Sequence, residues 1–313
     1  MKFWVGVTDN SWFDFLSKRL PDELNFWQPG GATAFKSLNH GELFLFKLHS
    51  PLNYIAGGGF FVRHSFLPVS LAWETFEQKN GAETFENFHS MIMRLRQQRA
   101  GFDPDPMIGC IILAEPFFLP REEWIPAPSN WRPSIVQGKT YTMDEPIGAT
   151  LWTMVQERLV RYRQLHETEM EKVEAIAEES PLYGMEYLTH ARLGQGAFRV
   201  LVTDLYNRRC AITQERTLPV LEAAHIKPYA KSGPHKVNNG LLLRSDLHKL
   251  FDKGYLTITS DFHVEVSKRI KKEYENGREY YAMHGKELIL PTNSSFHPSR
   301  EYIEWHNKYI YAA

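Results

Sequence analysis

A chain of 313 residues, 43% hydrophobic and 13% aromatic, is long enough for two ordinary domains with real cores and carries no compositional mark of disorder. Its longest apolar run, "MIGCIILAEPFFL", is interrupted by Glu115 and Pro116, which excludes a membrane span there. The two cysteines, Cys110 and Cys210, lie in different halves and cannot make a four-thiolate zinc site or a disulfide framework, so a reduced cytoplasmic protein is expected.

The first 70 residues read as β-rich. "KFWVGVT" and "ELFLFKLH" are apolar or alternating runs of strand-favouring residues, and "YIAGGGFFVRHSF" is a strand interrupted by Gly57, Gly58 and Gly59, the mark of a bulge or a close backbone approach. "DNSWFDFLSKRL" predicts a helix that Asp9, Asn10 or Ser11 could cap, with Trp12, Phe15, Leu16 and Leu20 on one face. "SLAWETFEQKNG" and "AETFENFHSMIMRLRQQ" predict two more helices, and "MIGCIILAEPFFL" a buried strand. A proline-punctuated stretch from Pro120 follows before the chain becomes extended again. The fold class expected for residues 1–145 is α+β, a small curled sheet with helices around it. Residues 146–182 then predict a long charged helix that links two domains, with Leu151, Val155, Leu159 and Tyr162 on one stripe and "SPLYG" ending it. Residues 183–313 form the second predicted domain, entered by the helix "GAFRVLVTDLYNRR".

Charge is divided unevenly between the halves. Residues 1–180 hold 17 Lys and Arg against 23 Asp and Glu, while residues 181–313 hold 19 against 14 and eight of the thirteen histidines. Phosphate contacts rest on Lys and Arg, so a nucleic-acid grip is expected in the second domain.

The stretch "LEAAHIKPYAKSGPHKVNNGLLLRSDLHKLFDKG" carries the chemistry. "LEAAHI" predicts a strand, "GLLLR" a returning strand, and "SDLHKLFDKG" a helix with Ser245 as N-cap and Gly254 as stop. His248 and Asp252, four apart on that helix, share a face and could hold one cation. A lone histidine in a loop is more often structural than catalytic. Here two histidines and an asparagine recur at fixed spacing, fourteen residues from His225 to Asn239 and nine more to His248. With "AAHI", "NGLLLRSDLHKLFDKGYL", "RCAIT" and "PSREYIEWH", that spacing resembles the HNH endonucleases of the ββα-metal fold over residues 185–310. The resemblance implies His225 as general base, Asn239 as the residue that fixes the base-bearing loop, and His248 as a metal ligand. It places Asp252 where some members have a second ligand, with Asp246 and Glu222 as further choices. It also implies a divalent cofactor, Mg²⁺ first, with Mn²⁺, Co²⁺ or Ni²⁺ able to substitute. Ala224 departs from the pattern, because many members carry an acidic or imidazole ligand immediately before the base. Asn238 competes with Asn239, and His235 reads as a loop residue within reach of phosphate.

The first domain is rich in tryptophan near turns, and an indole can fill a core or stack on an extruded base. The order "FWVGVT…NFWQPGGATAFKSLNHGELFLFKLHSPLNYIAGGGFFV" resembles EVE domains, relatives of the YTH and PUA-like modules, over residues 1–145. That resemblance implies a pocket for a modified base, walled by Trp27 and Trp73, with Asp9, Asn10 and Ser11 offering hydrogen bonds to the base edge. Reader and nuclease together resemble modification-dependent EVE–HNH restriction endonucleases of bacteria. The expected partner is therefore double-stranded DNA containing hydroxymethyl- or methylcytosine, cut by a homodimer. Two alternatives stay open at this point: a nuclease acting on RNA or unmodified DNA, and a reader without catalysis.

Overall fold

In the computed structural model, which describes residues 1–96, 103–170 and 193–311, the chain divides into two units, Met1–Ala191 and Arg192–Ala313. The first unit runs β1 (Lys2–Thr8), α1 (Asn10–Ser17), β2 (Glu23–Gln28), β3 (Leu43–Leu48), β4 (Tyr54–Pro68), α2 (Val69–Phe76), α3 (Phe85–Arg96), β5 (Met107–Phe118), β6 (Ile125–Pro126), β7 (Gly138–Thr142) and α4 (Pro146–Met170). Its seven described strands form one mixed sheet in the order β2-β5-β4-β3-β1-β7, with β6 on β4. The β1–β3 pair is parallel and the others are antiparallel.

Strand β3, "LFLFKL", is buried at every residue, because the sheet carries a core on each face. Leu43 and Leu45 join Phe3, Val5 and α4's Leu151, Trp152 and Val155. The alternate residues Phe44, Phe46 and Leu48 join α1's Trp12, Phe13 and Leu16. A two-residue side-chain period sorts one short strand into two cores. The Gly57–Gly59 run sits where the β4–β5 register shifts, between Gly58 and Phe60.

Strand β2 was not evident from the sequence, since its buried residues include Glu23 and Asn25. Glu23 accepts from Lys79 at 3.0 Å, and the Asn25 amide donates to Asn80 Oδ1 at 2.9 Å. Asn80, itself fully buried, donates in turn to the carbonyls of Ala72 and Glu77. Its own carbonyl accepts from the indoles of both Trp12 and Trp27, at 3.0 and 2.9 Å.

The helix predicted as a linker begins at Pro146, and its first turns belong to the first unit. Trp152 lies 5.8 Å from Phe3 between ring centroids, and Arg158 and Arg161 reach Glu123. The remainder of that prediction, residues 171–182, and the break at 180–184 lie outside the described residues. No described helix is long and apolar enough to cross a membrane.

The second unit runs α5 (Gln195–Leu205), β8 (Leu221–His225), β9 (Gly240–Arg244), α6 (Ser245–Asp252), β10 (Leu256–Ile258), β11 (Val264–Val266), α7 (Arg269–Tyr274), α8 (Arg278–Tyr281) and α9 (Arg300–Tyr309). Leu241, Leu242 and Leu243 of β9 are all fully buried, packed in one core with Phe198 and Val202 of α5 and Leu247 and Phe251 of α6. Ser245 does not cap α6. It is the first helical residue, and Arg244 takes the capping position with no side-chain hydrogen bond to the backbone N–H groups of the first turn.

Helix α9 is pinned to α6 by His306. Its ring stacks on Phe251 at 3.7 Å and 12°, its Nε2–H donates to the Phe251 carbonyl at 3.0 Å, and Nδ1 lies 2.8 Å from Thr257 Oγ1. Burial pulls this imidazole down to about 4. The unfolded chain takes up that proton near pH ~6.5, so the unfolded state binds more protons between the two values. Stability from the neutral ring is complete above about pH 6.5 and is lost as pH falls through that window. Melting temperatures of the wild type and His306→Gln, compared near neutral pH and at about pH 5, should show a larger acid-induced drop for the wild type. Equal drops would contradict this account of His306.

Candidate active site

Strands β8 and β9 pair antiparallel with His225 opposite Gly240. Neighbouring side chains of a strand leave on opposite faces, so Glu222 and His225 diverge. Glu222 meets His248 of α6, and His225 lies flat on Phe198 of α5, 4.0 Å between centroids and 13° between planes. Gly240 makes this possible. A Cβ there would fall 2.5 Å from Val202 and 2.9 Å from the Phe198 ring, so only a residue without a side chain lets Phe198 approach the strand end.

The loop from Ile226 to Asn239 is closed by Asn239, whose side chain is fully buried. Its Oδ1 accepts from Lys227 N–H at 2.9 Å, and its amide nitrogen donates to the carbonyls of Lys227 at 2.9 Å and Pro234 at 3.0 Å. The backbone carbonyl of Asn238 accepts from Ser299 N–H. Within this loop His235 places Nδ1 2.9 Å from Nε2 of His225. Burial, with His235 and then His248 nearby, holds His225 down at about 4, so its ring is neutral at physiological pH.

On α6, His248 lies between two carboxylates, Nδ1 at 2.7 Å from Glu222 Oε2 and Nε2 at 3.3 Å from Asp252 Oδ2. Burial raises the Asp252 carboxyl, an effect that His248 opposes and the charge of Glu222 reinforces. Asp246 is committed elsewhere. Both its oxygens are held by the Arg244 guanidinium at 2.6 and 2.7 Å, and Tyr280 donates to it. Ala224 is fully buried in the core and offers no donor, but Glu222, two residues earlier, shares its face of the strand.

Among the described residues no group of three or more His, Cys, Asp and Glu is preset as a metal cage, since both His248 nitrogens face carboxylates. The donor types nevertheless suit a divalent cation. The His248 imidazole and the Asp252 carboxylate supply nitrogen and anionic oxygen, and an Nδ1–H held by Glu222 would aim the Nε2 lone pair towards Asp252.

In the first unit a cavity of about 610 Å³ is lined by Trp27, Asp9, Phe26, Thr33, His49 and Arg94, among others, a size common for small-molecule sites. Of the residues predicted for a base pocket, the structure brings Trp27 and Asp9 to this cavity and leaves Trp73, Asn10 and Ser11 out of its lining. Trp73 packs on Phe85 and Phe88, at 6.4 and 6.0 Å, and Phe88 also meets the Trp27 ring at 5.8 Å. The two tryptophans therefore contact one phenylalanine and do not wall one cavity. Asp9 caps α1, with Oδ1 accepting from the N–H groups of Ser11 and Trp12 at 2.9 and 3.0 Å, and Asn10 accepts from His49 N–H. Thr33, His49 and Arg94 were not anticipated as lining, because nothing in local periodicity brings three separate segments to one rim.

Residues 210–259 match the family model described as HNH endonuclease. A search of curated proteins finds no match. Among solved structures, a mutant ASCH protein from Zymomonas mobilis is 8% identical, with a TM-score of 0.32, and covers 49% of this chain and 97% of its own. The modification-dependent restriction endonuclease TagI is 14% identical, with a TM-score of 0.26, covering 91% of this chain and 74% of its own. Superpositions this loose do not define a shared fold. The family match falls on β8, β9, α6 and β10, the elements that assemble His225, Asn239 and His248. The chain thus carries an HNH endonuclease domain, and it is an endonuclease.

Proposed function

We propose that the protein is a modification-dependent DNA endonuclease, in which the first unit holds a modified cytosine drawn out of the duplex and the second hydrolyses a nearby phosphodiester. The observation that carries the nuclease half is the family match over residues 210–259, which spans a half-buried His225 at a strand end and the His248–Asp252 pair on the adjoining helix. HNH nucleases are generally metal-dependent. In this reading His248 Nε2 and Asp252 hold a divalent ion, Mg²⁺ first, with Glu222 orienting the imidazole through its Nδ1–H. The ion's contribution is electrostatic stabilisation of charge on the phosphoryl oxygens and the leaving group.

His225 takes a proton from water as the water oxygen attacks phosphorus, and the bond to the 3′ oxygen breaks with its electron pair on that oxygen. That oxygen takes a proton from solvent water, and a 5′-phosphate and a 3′-hydroxyl result. An imidazole held near 4 is a weak base in isolation. The phosphate anion beside it favours the imidazolium that forms in the transition state and raises its basicity when it matters. Asn239 keeps the loop closed and makes no contact with the reacting atoms in this scheme.

The reader half is supported by the cavity beside Trp27, in a unit whose sequence resembles EVE domains. Trp27 is half-buried and its N–H is satisfied by the Asn80 carbonyl, so its ring is fixed before any ligand arrives, as a stacking platform requires. A cut through both strands needs two active sites, which favours a homodimer on DNA.

The direct test digests matched duplexes carrying cytosine, methylcytosine, hydroxymethylcytosine or glucosylated hydroxymethylcytosine, with Mg²⁺ or with chelator. Cleavage of one modified duplex with Mg²⁺, and its loss in His225→Ala at unchanged DNA affinity, is the expected pattern. Equal cutting of all four duplexes would remove the reader half. Cutting by His225→Ala would remove the base assignment. A second variant, Trp27→Ala, should lose about one to two decades of affinity for the preferred modified duplex, corresponding to roughly 1–3 kcal/mol of stacking. Binding to plain DNA should be spared. Equal weakening on both duplexes, or a large fall in melting temperature, would assign Trp27 to the core.

A further inference from the structure

Asn239 holds the loop at two places, Lys227 just after the strand and Pro234 just before His235. The amide that closes the loop therefore also sets where His235 begins. The His235 ring then lies flat on Tyr229, 4.4 Å between centroids and 14° between planes. It presents Nδ1 to Nε2 of His225 at 2.9 Å, while His225 is itself stacked on Phe198. Each imidazole is thus held against an aromatic ring on one face, and the nitrogen–nitrogen contact fixes how the two rings turn towards each other.

Two neutral imidazoles can share that contact in only two ways, because each carries one N–H and one lone pair. Were His235 the donor, the Nε2 lone pair of His225 would be occupied and its N–H would sit on Nδ1. No lone pair would then be left to receive a proton from water. With His225 as donor, Nε2 carries the hydrogen and the lone pair lies on Nδ1. Only this second arrangement is compatible with a general base.

We propose that His235 is a positioning residue for the general base: it accepts the Nε2–H of His225 and so makes Nδ1 the proton-accepting atom. This rests on the reading of His225 as base. In the step itself, water gives one proton to Nδ1 of His225 and its oxygen bonds to phosphorus, while the bond to the 3′ oxygen breaks. No proton passes to His235. As His225 becomes cationic, its Nε2–H bond to His235 becomes charge-assisted and stronger, so His235 acts mainly in the transition state. The chain of causes runs from Asn239 through the Pro234 carbonyl to His235, and from there to the tautomer of His225.

The test uses the full chain with ¹⁵N-labelled histidine, and two variants, His235→Ala and His235→Asn. The asparagine Oδ1 can stand where the histidine Nδ1 stands and still accept. In the wild type, two-bond ¹⁵N–¹H spectra should show His225 with its hydrogen on Nε2. On cleavable duplex DNA with Mg²⁺, His235→Ala should lower kcat at least about tenfold, a part of the ~10²–10⁴ that a general base contributes. KM should stay near the wild-type value. His235→Asn should recover most of the rate. A hydrogen on Nδ1 of wild-type His225, or wild-type kcat in His235→Ala, would overturn the proposal. If His235→Ala fails to fold, the wild-type spectrum and the His235→Asn rate still decide it. Cutting by His225→Ala would instead strike the underlying base assignment, so the two failures are distinguishable.

Discussion

The second unit depends on one buried amide. Asn239 sits at the end of a loop of turn residues, and its side chain makes three hydrogen bonds that bind the loop's beginning to its end. A buried amide left without partners is costly, so the loop conformation that satisfies Asn239 is selected strongly over others. That conformation carries His235 to His225. Without Gly240 the other flank would fail, because Phe198 could not reach the face of the His225 ring. The site is therefore built by the loop on one side of His225 and by α5 on the other, with α6 supplying His248 and Asp252 from the opposite face of the strand.

A comparable arrangement of buried polar groups organises the first unit. Glu23 with Lys79, and Asn25 with Asn80, tie the edge strand β2 to the turn after α2. The Asn80 carbonyl receives both indole N–H groups of Trp12 and Trp27. Trp12 is a core residue, and both indoles border the cavity, so the same backbone oxygen couples packing to the candidate pocket. Asn25 Oδ1 has no hydrogen-bond partner among the described residues, a cost that the surrounding contacts must offset.

These features explain what could and could not be read from the chain alone. The strand, loop and helix that carry His225, Asn239 and His248 were legible because a ββα unit fixes their separation in sequence, and the mixed α+β class was legible from apolar runs such as β3. Strand β2 was hidden because its buried side is polar, and the partners that satisfy Glu23 and Asn25 lie more than fifty residues away. The packing of Trp73 could not be read from the chain, because a helical aromatic can pack on either neighbour, and here it turns to Phe85 and Phe88. Asp9 looked like a ligand-binding group and also serves as a helix cap, since one short carboxylate suits both tasks. Asp246, which stood behind Asp252 as a candidate ligand, is bound in a fork by an arginine two residues away. His235 was read as a loop residue because loop positions follow no periodicity. Its distance to His225 is set by how Asn239 folds the loop.

The central claim is that Asn239 acts on chemistry through loop geometry and not through contact with substrate. Single-turnover cleavage by Asn239→Ala, measured beside its affinity for the same DNA and for Mn²⁺, tests this most directly. The expected result is a cleavage rate at least about tenfold lower, within the range of general-base contributions, with both affinities close to wild type. A wild-type rate, or a loss that appears wholly in DNA or Mn²⁺ affinity, would contradict it.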